Sequence, residues 1–368
     1  RITEEFPSSK YYNEALVQLG DYFFDTNKFS DAELYFNKVI AKKDPKTLHY
    51  ATYKKAWCAY NGQKYQASID LFKSIIESES AENSNYLMRL KNEALRDIAL
   101  PLTELHLAEE AISFFRAQGD PFHRTGVESM ANLAMEKGDY KNSILFNEYL
   151  LGMDNNGAKN PNYDLSLIES LRLSGNNSRA VQRLFTQLPN YMEGASWYEL
   201  NAATPAVIKS AATGFEEMAR KYALEFHSEG QKTKNDTLYE TASTLYQKYL
   251  TFFPGTIHAA TIRFYLAEIL YKQQKYLPAA DNYYLVYKSP LAGNMRLEAI
   301  HSALDSLDKE MNLARKTAGI SEISVKTTSR LKESDEKAVE TPLTSVESKF
   351  VIVGEEYISR FPKANDTM

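Results

Sequence analysis

The sequence predicts an all-helical fold built from repeated helical hairpins, and three observations support this. The 368 residues include only 15 Gly and 12 Pro, the two residues that most often interrupt helices. The dipeptide Phe-Pro recurs at separations close to multiples of about 35 residues, which is the length of a helical-hairpin repeat. Aromatic residues are abundant, with 25 Tyr and 18 Phe but only 2 Trp. The three Phe-Pro dipeptides are Phe6-Pro7, Phe253-Pro254 and Phe361-Pro362.

Composition limits the functions open to the chain. With 43% hydrophobic residues the chain can bury a sizeable core. It has 43 Lys and Arg and 48 Asp and Glu, and the resulting net charge of -5 argues against a nucleic-acid partner. Cys58 is the single cysteine, so an intrachain disulfide and a Cys-only metal site are excluded. We expect Cys58 to be a small buried side chain. A single cysteine fits a cytoplasmic protein and equally a periplasmic protein that does not use disulfides.

The first hairpin has small and apolar residues at the spacing of two packed helices. A stripe at i, i+3, i+4 and i+7 predicts the first helix, and a small residue in each helix lets the two approach closely. An aromatic residue in the second helix then fills the space towards the next hairpin, and Pro45 closes the unit. Counted from Asn13 as position 1, these residues are Leu16, Leu19, Gly20 and Phe23 at positions 4, 7, 8 and 11, and Ala32, Phe36 and Val39 at positions 20, 24 and 27.

The pattern recurs along the chain. In the second hairpin the turn over residues 61–64 reads as one residue shorter, which leaves the register of its first helix open by one position. Its pattern residues are Tyr53, Ala56, Trp57, Tyr60, Tyr65, Ser68, Phe72 and Ile75. Further second helices are predicted over 137–146, 239–249 and 275–283, weaker units over 95–118 and 163–188, and one long helix over 205–229.

These residues resemble tetratricopeptide repeat (TPR) proteins, which implies a right-handed superhelical solenoid of about eight to ten hairpins. Residues 6–23 and 253–267 are similar, more narrowly, to repeats of bacterial envelope proteins. These include the outer-membrane-assembly lipoprotein, the periplasmic coordinator of the Tol-Pal system and large gliding-motility proteins. In them a Tyr/Phe-Pro, a short polar stretch and a Tyr/Ala pair recur at each boundary. The resemblance implies a periplasmic or outer-membrane-associated location.

The organisation changes after residue 288. No Phe, Trp or Tyr occurs over 288–349. We therefore divide the chain into a TPR-like array over 1–288 and C-terminal helices over 289–368, which we interpret as a continuation of the solenoid. Helices are predicted over 291–316 and 343–360, separated by a polar segment over about 317–342 that is expected to be mobile. The chain begins with Arg1 and ends on a repeat-like Phe361-Pro362, so we expect it to be a piece of a longer protein.

The residues needed for catalysis are not arranged in any recognisable pattern. No two of the six histidines lie three to five residues apart, which excludes a helical two-His metal pair. His106 with Glu109 or Glu110 could share a helix face, and an ion pair or a cap is the favoured interpretation. The sequence contains no phosphate-binding loop, dinucleotide fingerprint, zinc-protease motif or nucleophile elbow. We therefore predict no enzyme activity, cofactor or metal, and no membrane-spanning segment.

Binding is expected on the concave face, which in TPR proteins is lined by positions 2, 5, 9, 12 and 13 of the first helices. Aromatic side chains with scattered acids there suit an extended or helical peptide. Each of these aromatics could instead pack between hairpins. Lys or Asn at positions 5 and 9 of the first hairpin would hold a C-terminal carboxylate, whereas this chain has Val17 and Asp21. The candidate partner-binding residues are Asp21, Phe24, Tyr50, Tyr53, Trp57, Tyr60, Phe264, Glu268 and Tyr271.

Two functions remain open. The first is a non-catalytic scaffold that binds a protein or peptide partner in the superhelical groove, in a bacterial envelope assembly or a motility complex. The second is a cytoplasmic adaptor or regulatory domain of a larger multidomain protein. A signal peptide or lipid-anchor cysteine upstream of Arg1 in the complete gene would favour the first. A kinase, cyclase or DNA-binding segment beside this piece would favour the second.

Overall fold

The computed structural model describes residues 2–78, 85–317 and 342–362, and within these ranges it contains helices and no strand. After the short α1 (Ile2–Glu5), consecutive helices form hairpins. The hairpin helices are α2 (Tyr12–Asp25) and α3 (Phe29–Ala41); α4 (Leu48–Asn61) and α5 (Tyr65–Ile76); α6 (Asn85–Asp97) and α7 (Ala99–Glu104) with α8 (Ala108–Gln118); α9 (Phe122–Glu136) and α10 (Tyr140–Met153); α11 (Asn160–Leu173) and α12 (Asn177–Gln187). The later helices are α13 (Ser196–Asn201), α14 (Pro205–Thr233), α15 (Asp236–Phe252), α16 (Ala259–Lys272), α17 (Tyr276–Lys288), α18 (Met295–Thr317) and α19 (Ser345–Arg360), with 3-10 turns at Leu188–Tyr191 and Pro290–Ala292.

The chain divides into two compact units, Arg1–Ala211 and Ala212–Met368, with the boundary inside α14. In the first unit the helices from α2 to α12 pack mainly against their neighbours in the sequence, except for the short α7, which packs chiefly against α5 and α9. In the second unit the same holds from α15 to α19. This arrangement confirms the predicted all-helical fold of TPR-like hairpins. The predicted division at residue 288 stays a prediction, and α17 and α18 on its two sides pack against each other.

Small residues bring the two helices of a hairpin together. A Cβ atom added to Gly20 would lie 2.5 Å from Cε1 of Phe36, so the aromatic ring occupies the space that the missing side chain leaves. Phe36 is fully buried as a result. Position 20 holds a small residue in six of the hairpins, whereas the hairpin of α14 and α15 has Tyr239 at the same place. The six small residues are completely buried: Ala32, Ser68, Ala111, Ser143, Ala180 and Ala279.

The same turn joins the two helices of most hairpins. One residue has a positive φ, and the next backbone N–H donates to the carbonyl five residues earlier, as in a Schellman cap. In the first hairpin Asn27 has φ 58° and the Lys28 N–H donates to the Phe23 carbonyl at 2.8 Å. The corresponding positive-φ residues are Gln63, His106, Gly138, Gly175, Lys234 and Gln274.

This turn corrects the register of the second hairpin. Gln63 occupies the same place as Asn27, so the turn is not one residue shorter. The Ser68 hydroxyl donates to the Ala56 carbonyl at 2.9 Å, which joins the two small residues at positions 20 and 8. Position 8 of this hairpin is therefore Ala56, and Trp57 lies at position 9.

The weaker units deviate from the simple hairpin in identifiable ways. The first part of the third hairpin is divided into α6 and α7, and Pro101 lies in the first turn of α7, where its missing N–H costs no helical hydrogen bond. The long helix predicted over 205–229 is α14. The last helix begins with a capping box between Thr344 and Glu347. The polar segment predicted to be mobile lies outside the described residues, apart from its two ends.

Candidate functional site

The candidate residues of the first hairpin contact the second hairpin. The Tyr50 hydroxyl donates to both carboxylate oxygens of Asp21, at 3.0 and 3.1 Å. Lys54 Nζ lies 3.4 Å from the same carboxylate and 3.8 Å from the centre of the Phe24 ring. Burial, followed by the charge of Asp21, raises the pKa of Tyr50. Asp21, Phe24 and Tyr50 are thus brought together, and they hold the two first helices side by side.

Tyr53 and Trp57 contact the third hairpin through one carboxylate. The Tyr53 hydroxyl and the Trp57 indole N–H both donate to Oδ2 of Asp97, at 2.6 and 3.2 Å. Burial raises the pKa of Asp97, although both hydrogen bonds act in the opposite direction. Both aromatic rings also pack edge-on against Phe72, with centroids 5.8 and 6.1 Å apart. These two candidates therefore join hairpins while each keeps part of its surface exposed.

A third contact of this kind also joins the second hairpin to the third. The Tyr60 hydroxyl donates to Oε1 of Glu104 at 3.3 Å. Lys137 Nζ, at the end of α9, donates to the same oxygen at 2.5 Å. Glu104 thereby links the second and fourth hairpins.

The three candidates of the second unit lie in different environments. Phe264 is 7% exposed and packs edge-on against Tyr283, so it belongs to the core rather than to a surface. The Tyr271 hydroxyl donates to Asp305 at 2.5 Å, and this hydrogen bond is the main reason that its pKa is raised to about 12. Glu268 is exposed on the same helix. Desolvation of its carboxyl group, followed by the charge of Glu298, raises its pKa.

The polar ends of the predicted aromatics are therefore occupied by neighbouring hairpins. Since these phenol groups already donate to carboxylates, they offer a partner their exposed ring surfaces rather than free hydrogen-bond donors. The contacts that stabilise the array and the surface predicted to bind a partner share the same side chains.

A cavity of about 240 Å³ lies between α9, α10 and α11, and sequence reasoning missed it. We call it the asparagine cavity; its lining includes Glu128, Asn132, Asn147, Asn162, Tyr163 and Ser166. Counting back from Ser143 at position 20 puts Glu128 at position 5 and Asn132 at position 9. Counting back from Ala180 puts Asn162 at position 2. These are positions that face the partner in TPR proteins, so a residue-by-residue alignment of these hairpins would have found them.

Part of the asparagine cavity is already hydrogen-bonded internally. Glu128 accepts from Lys159 Nζ at 2.9 and 2.8 Å and from the Tyr163 hydroxyl. Burial, followed by this hydrogen bond to Glu128, raises the pKa of Tyr163 to about 12. The buried Asn147 Nδ2 donates to the Ser143 carbonyl at 2.8 Å and to Ser166 Oγ at 3.1 Å. These groups form a fixed polar wall.

Two amides of the cavity are available to a ligand. Asn132 and Asn162 are exposed, and in the described part of the chain neither side chain hydrogen-bonds to another residue. An asparagine side chain offers N–H donors and a carbonyl acceptor, which are complementary to the carbonyl and N–H groups of a peptide backbone. The pair can therefore hydrogen-bond to the main chain of an extended segment without regard to its side chains.

The remaining reactive groups do not assemble into a site. Across residues 2–78, 85–317 and 342–362, no three His, Cys, Asp or Glu side chains are grouped so that they could hold a metal ion. His106 Nδ1 lies 2.5 Å from Asp139, and this pair replaces the one considered with Glu109 or Glu110. Burial raises the pKa of the Cys58 thiol to about 12. None of the described helices is both long and apolar enough to span a bilayer.

No family model matches the chain, and no curated protein matches it significantly. Among solved structures, the C-terminal part of a TPR repeat-containing protein from Cytophaga hutchinsonii has 16% identity and a TM-score of 0.32, over 77% of this chain and 98% of that one. The P58(IPK) TPR domain has 13% identity and a TM-score of 0.22, over 95% and 99% of the two chains. Yeast Tom70 has 12% identity and a TM-score of 0.14, over 84% and 85%. The hairpin contacts, rather than these scores, define the fold as TPR-like.

Proposed function

We propose that the chain is a non-catalytic scaffold that binds an extended segment of a partner protein, with the asparagine cavity as its anchor. The observation that carries this proposal is the pair of exposed amides of Asn132 and Asn162, which lie at partner-facing positions and hydrogen-bond to no other side chain or backbone group among the described residues. Hydrogen bonds to the main chain provide affinity in such complexes, and neighbouring side-chain pockets provide specificity.

The aromatic residues add a second contribution in this proposal. Tyr50, Tyr53, Trp57 and Tyr60 keep exposed ring surface along the first helices, and such rings are frequent anchors in interfaces. Because their hydroxyl and indole groups are already fixed by carboxylates, the rings are held in place before a partner binds. Binding then requires little ordering of side chains, which favours affinity.

We further propose that this scaffold works in a bacterial envelope assembly or motility complex. The support is the recurrent Phe-Pro boundary pattern that this sequence shares with envelope TPR proteins. Fractionation of the source cells tests the location: we expect the full-length protein in the periplasmic or outer-membrane fraction. Recovery in the cytoplasm, fused to an enzyme or sensor domain, would favour the adaptor function instead.

Photo-crosslinking tests the binding surface. A library of random peptides displayed on phage is selected against the immobilised chain, and a selected peptide is synthesised with a benzophenone group. We expect mass spectrometry to locate its cross-links on α9 and α11 around Asn132 and Asn162. Cross-links confined to second helices such as α3 or α5 would contradict the proposal.

A further inference from the structure

A second cavity in the first unit has a lining that the TPR fold itself does not require. It measures about 300 Å³ and lies beside the start of α11, the end of α12 and α13. We call it the Asn160 pocket; its wall includes Asn155, Asn156, Asn160, Gln187, Asn190 and Trp197. Its size is at the lower end of the range for small-molecule sites.

The charged groups of the Asn160 pocket compensate one another. Asp164 is only 1% exposed, and its carboxylate accepts from Arg183 Nε at 2.8 Å and from the Tyr191 hydroxyl. Because the one carboxylate and the one guanidinium among the described lining residues are paired with each other, these residues leave no uncompensated charge to attract an ion. The groups that remain for a ligand are neutral.

Asn160 is the unusual residue of the wall. It is 2% exposed, and its Nδ2 donates to the Asp154 carbonyl at 2.6 Å, which fixes the orientation of the amide. Its Oδ1 has no hydrogen-bond donor in the described part of the chain. This oxygen is covered from solvent, so a ligand reaches it only when the neighbouring wall side chains shift. A buried acceptor without a donor is destabilising, and an N–H or O–H that a ligand brings to it would remove that cost. The loop beside it is held by Trp197, whose Nε1 donates to the Gly157 carbonyl at 2.8 Å.

The outer wall supplies both donors and acceptors. The side chains of Asn155, Asn156 and Ser196 form no hydrogen bond within the described residues. Asn190 Nδ2 donates to Gln187 Oε1 at 3.0 Å, which leaves the Gln187 amide hydrogens and the Asn190 oxygen for other contacts. The pocket therefore combines a deep acceptor with a surrounding set of neutral amide groups.

We propose that the Asn160 pocket binds a primary carboxamide, whose N–H donates to Asn160 Oδ1 while its carbonyl accepts from a wall amide such as Gln187. A carboxylate would present no donor to Asn160, an ammonium would find no free carboxylate, and an alkyl group would leave the acceptor unpaired. The carboxamide comes from a glutamine or asparagine of the bound partner segment, or from the free amino acid. As a subsite for a peptide, the pocket rests on the proposed function.

The two tryptophans allow a direct test by nuclear magnetic resonance of the ¹⁵N-labelled chain. The indole N–H of Trp197 lies in the pocket wall, and that of Trp57 lies outside the pocket and serves as an internal reference. The probes are N-acetyl-glutamine N-methylamide, whose only primary carboxamide is in the side chain, and free glutamine, which distinguish the two sources. The N-acetyl N-methylamides of glutamate and methionine, which carry no primary carboxamide, are the matched controls. We expect the glutamine probe to shift the Trp197 signal saturably and the Trp57 signal to stay in place.

Two variants separate binding from folding. Asn160→Leu should abolish the response, provided that the Trp197 signal keeps its position without ligand. Gln187→Met should weaken the affinity about tenfold, the typical effect of one lost hydrogen bond, whereas Gln182→Met on the exposed side of α12 should not change it. The proposal is overturned if no carboxamide shifts Trp197, if methionine is as effective as glutamine, or if the Asn160 and Gln187 variants both respond as wild type. A response to either glutamine probe with no peptide bound at the asparagine cavity would contradict the proposed function alone.

Discussion

Replacing Gly20 with alanine tests the close approach of the two helices in the first hairpin. The added Cβ would lie 2.5 Å from Phe36 Cε1, about 1 Å closer than an ordinary contact, and Phe36 is fully buried and cannot move into solvent. Such overpacking costs about 3 kcal/mol at the upper end, and the better helix propensity of alanine returns about 1 kcal/mol. We therefore expect Gly20→Ala to lower the free energy of unfolding by about 2 kcal/mol.

Urea unfolding followed by far-ultraviolet circular dichroism measures this change. Gly152→Ala in α10 is the matched control, because a Cβ there meets no atom within 4 Å. Only the propensity gain applies to it, so we expect a stabilisation of at most about 1 kcal/mol. If Gly20→Ala is as stable as wild type, or as stabilising as Gly152→Ala, the close approach at position 8 does not contribute as described.

Three further predictions concern stability and reactivity. Tyr53→Phe should destabilise the chain by about 1 kcal/mol, since it removes the donor to Asp97, whereas unchanged urea unfolding would show that the contact adds nothing. Burial, followed by the charge of Lys272, lowers the pKa of His227 below its usual 6.5. The neutral ring therefore contributes stability above pH 6.5, and this contribution is lost as the pH falls below 6.5. The thermal midpoint should fall between about pH 7 and 5 more steeply in wild type than in His227→Gln, and equal slopes would contradict this. Cys58, with a pKa of about 12, should react with a thiol reagent only when the first unit opens, and rapid labelling of the native protein would refute its burial.

The repeated pattern of small and aromatic residues was sufficient to predict the fold. Gly20, Ala32 and Phe36 meet as their spacing indicates, because one hairpin is determined by contacts within about 30 residues. The register of the second hairpin was uncertain for a local reason. Its turn has Gln63 in the positive-φ position, where asparagine or glycine is the usual signal.

The candidate site was less predictable, because its contacts join different hairpins. The spacing rule gave Tyr53 and Trp57, but not their shared partner Asp97, which lies 40 or more residues away and outside the partner-facing positions. It also could not show that Phe264, at a nominally partner-facing position, is buried. Asn132 and Asn162 were not predicted, because the candidate residues came from hairpins that have aromatic side chains at the partner-facing positions.

The most direct test of the account is the affinity of a selected peptide for variants of the asparagine cavity, measured by isothermal titration calorimetry. Loss of one hydrogen bond to the peptide main chain should weaken binding about tenfold. We expect that loss for Asn132→Leu and for Asn162→Leu, with no change for Asn37→Leu on the exposed surface of α3. Equal affinity of wild type and both cavity variants would contradict the claim that these amides anchor a partner segment.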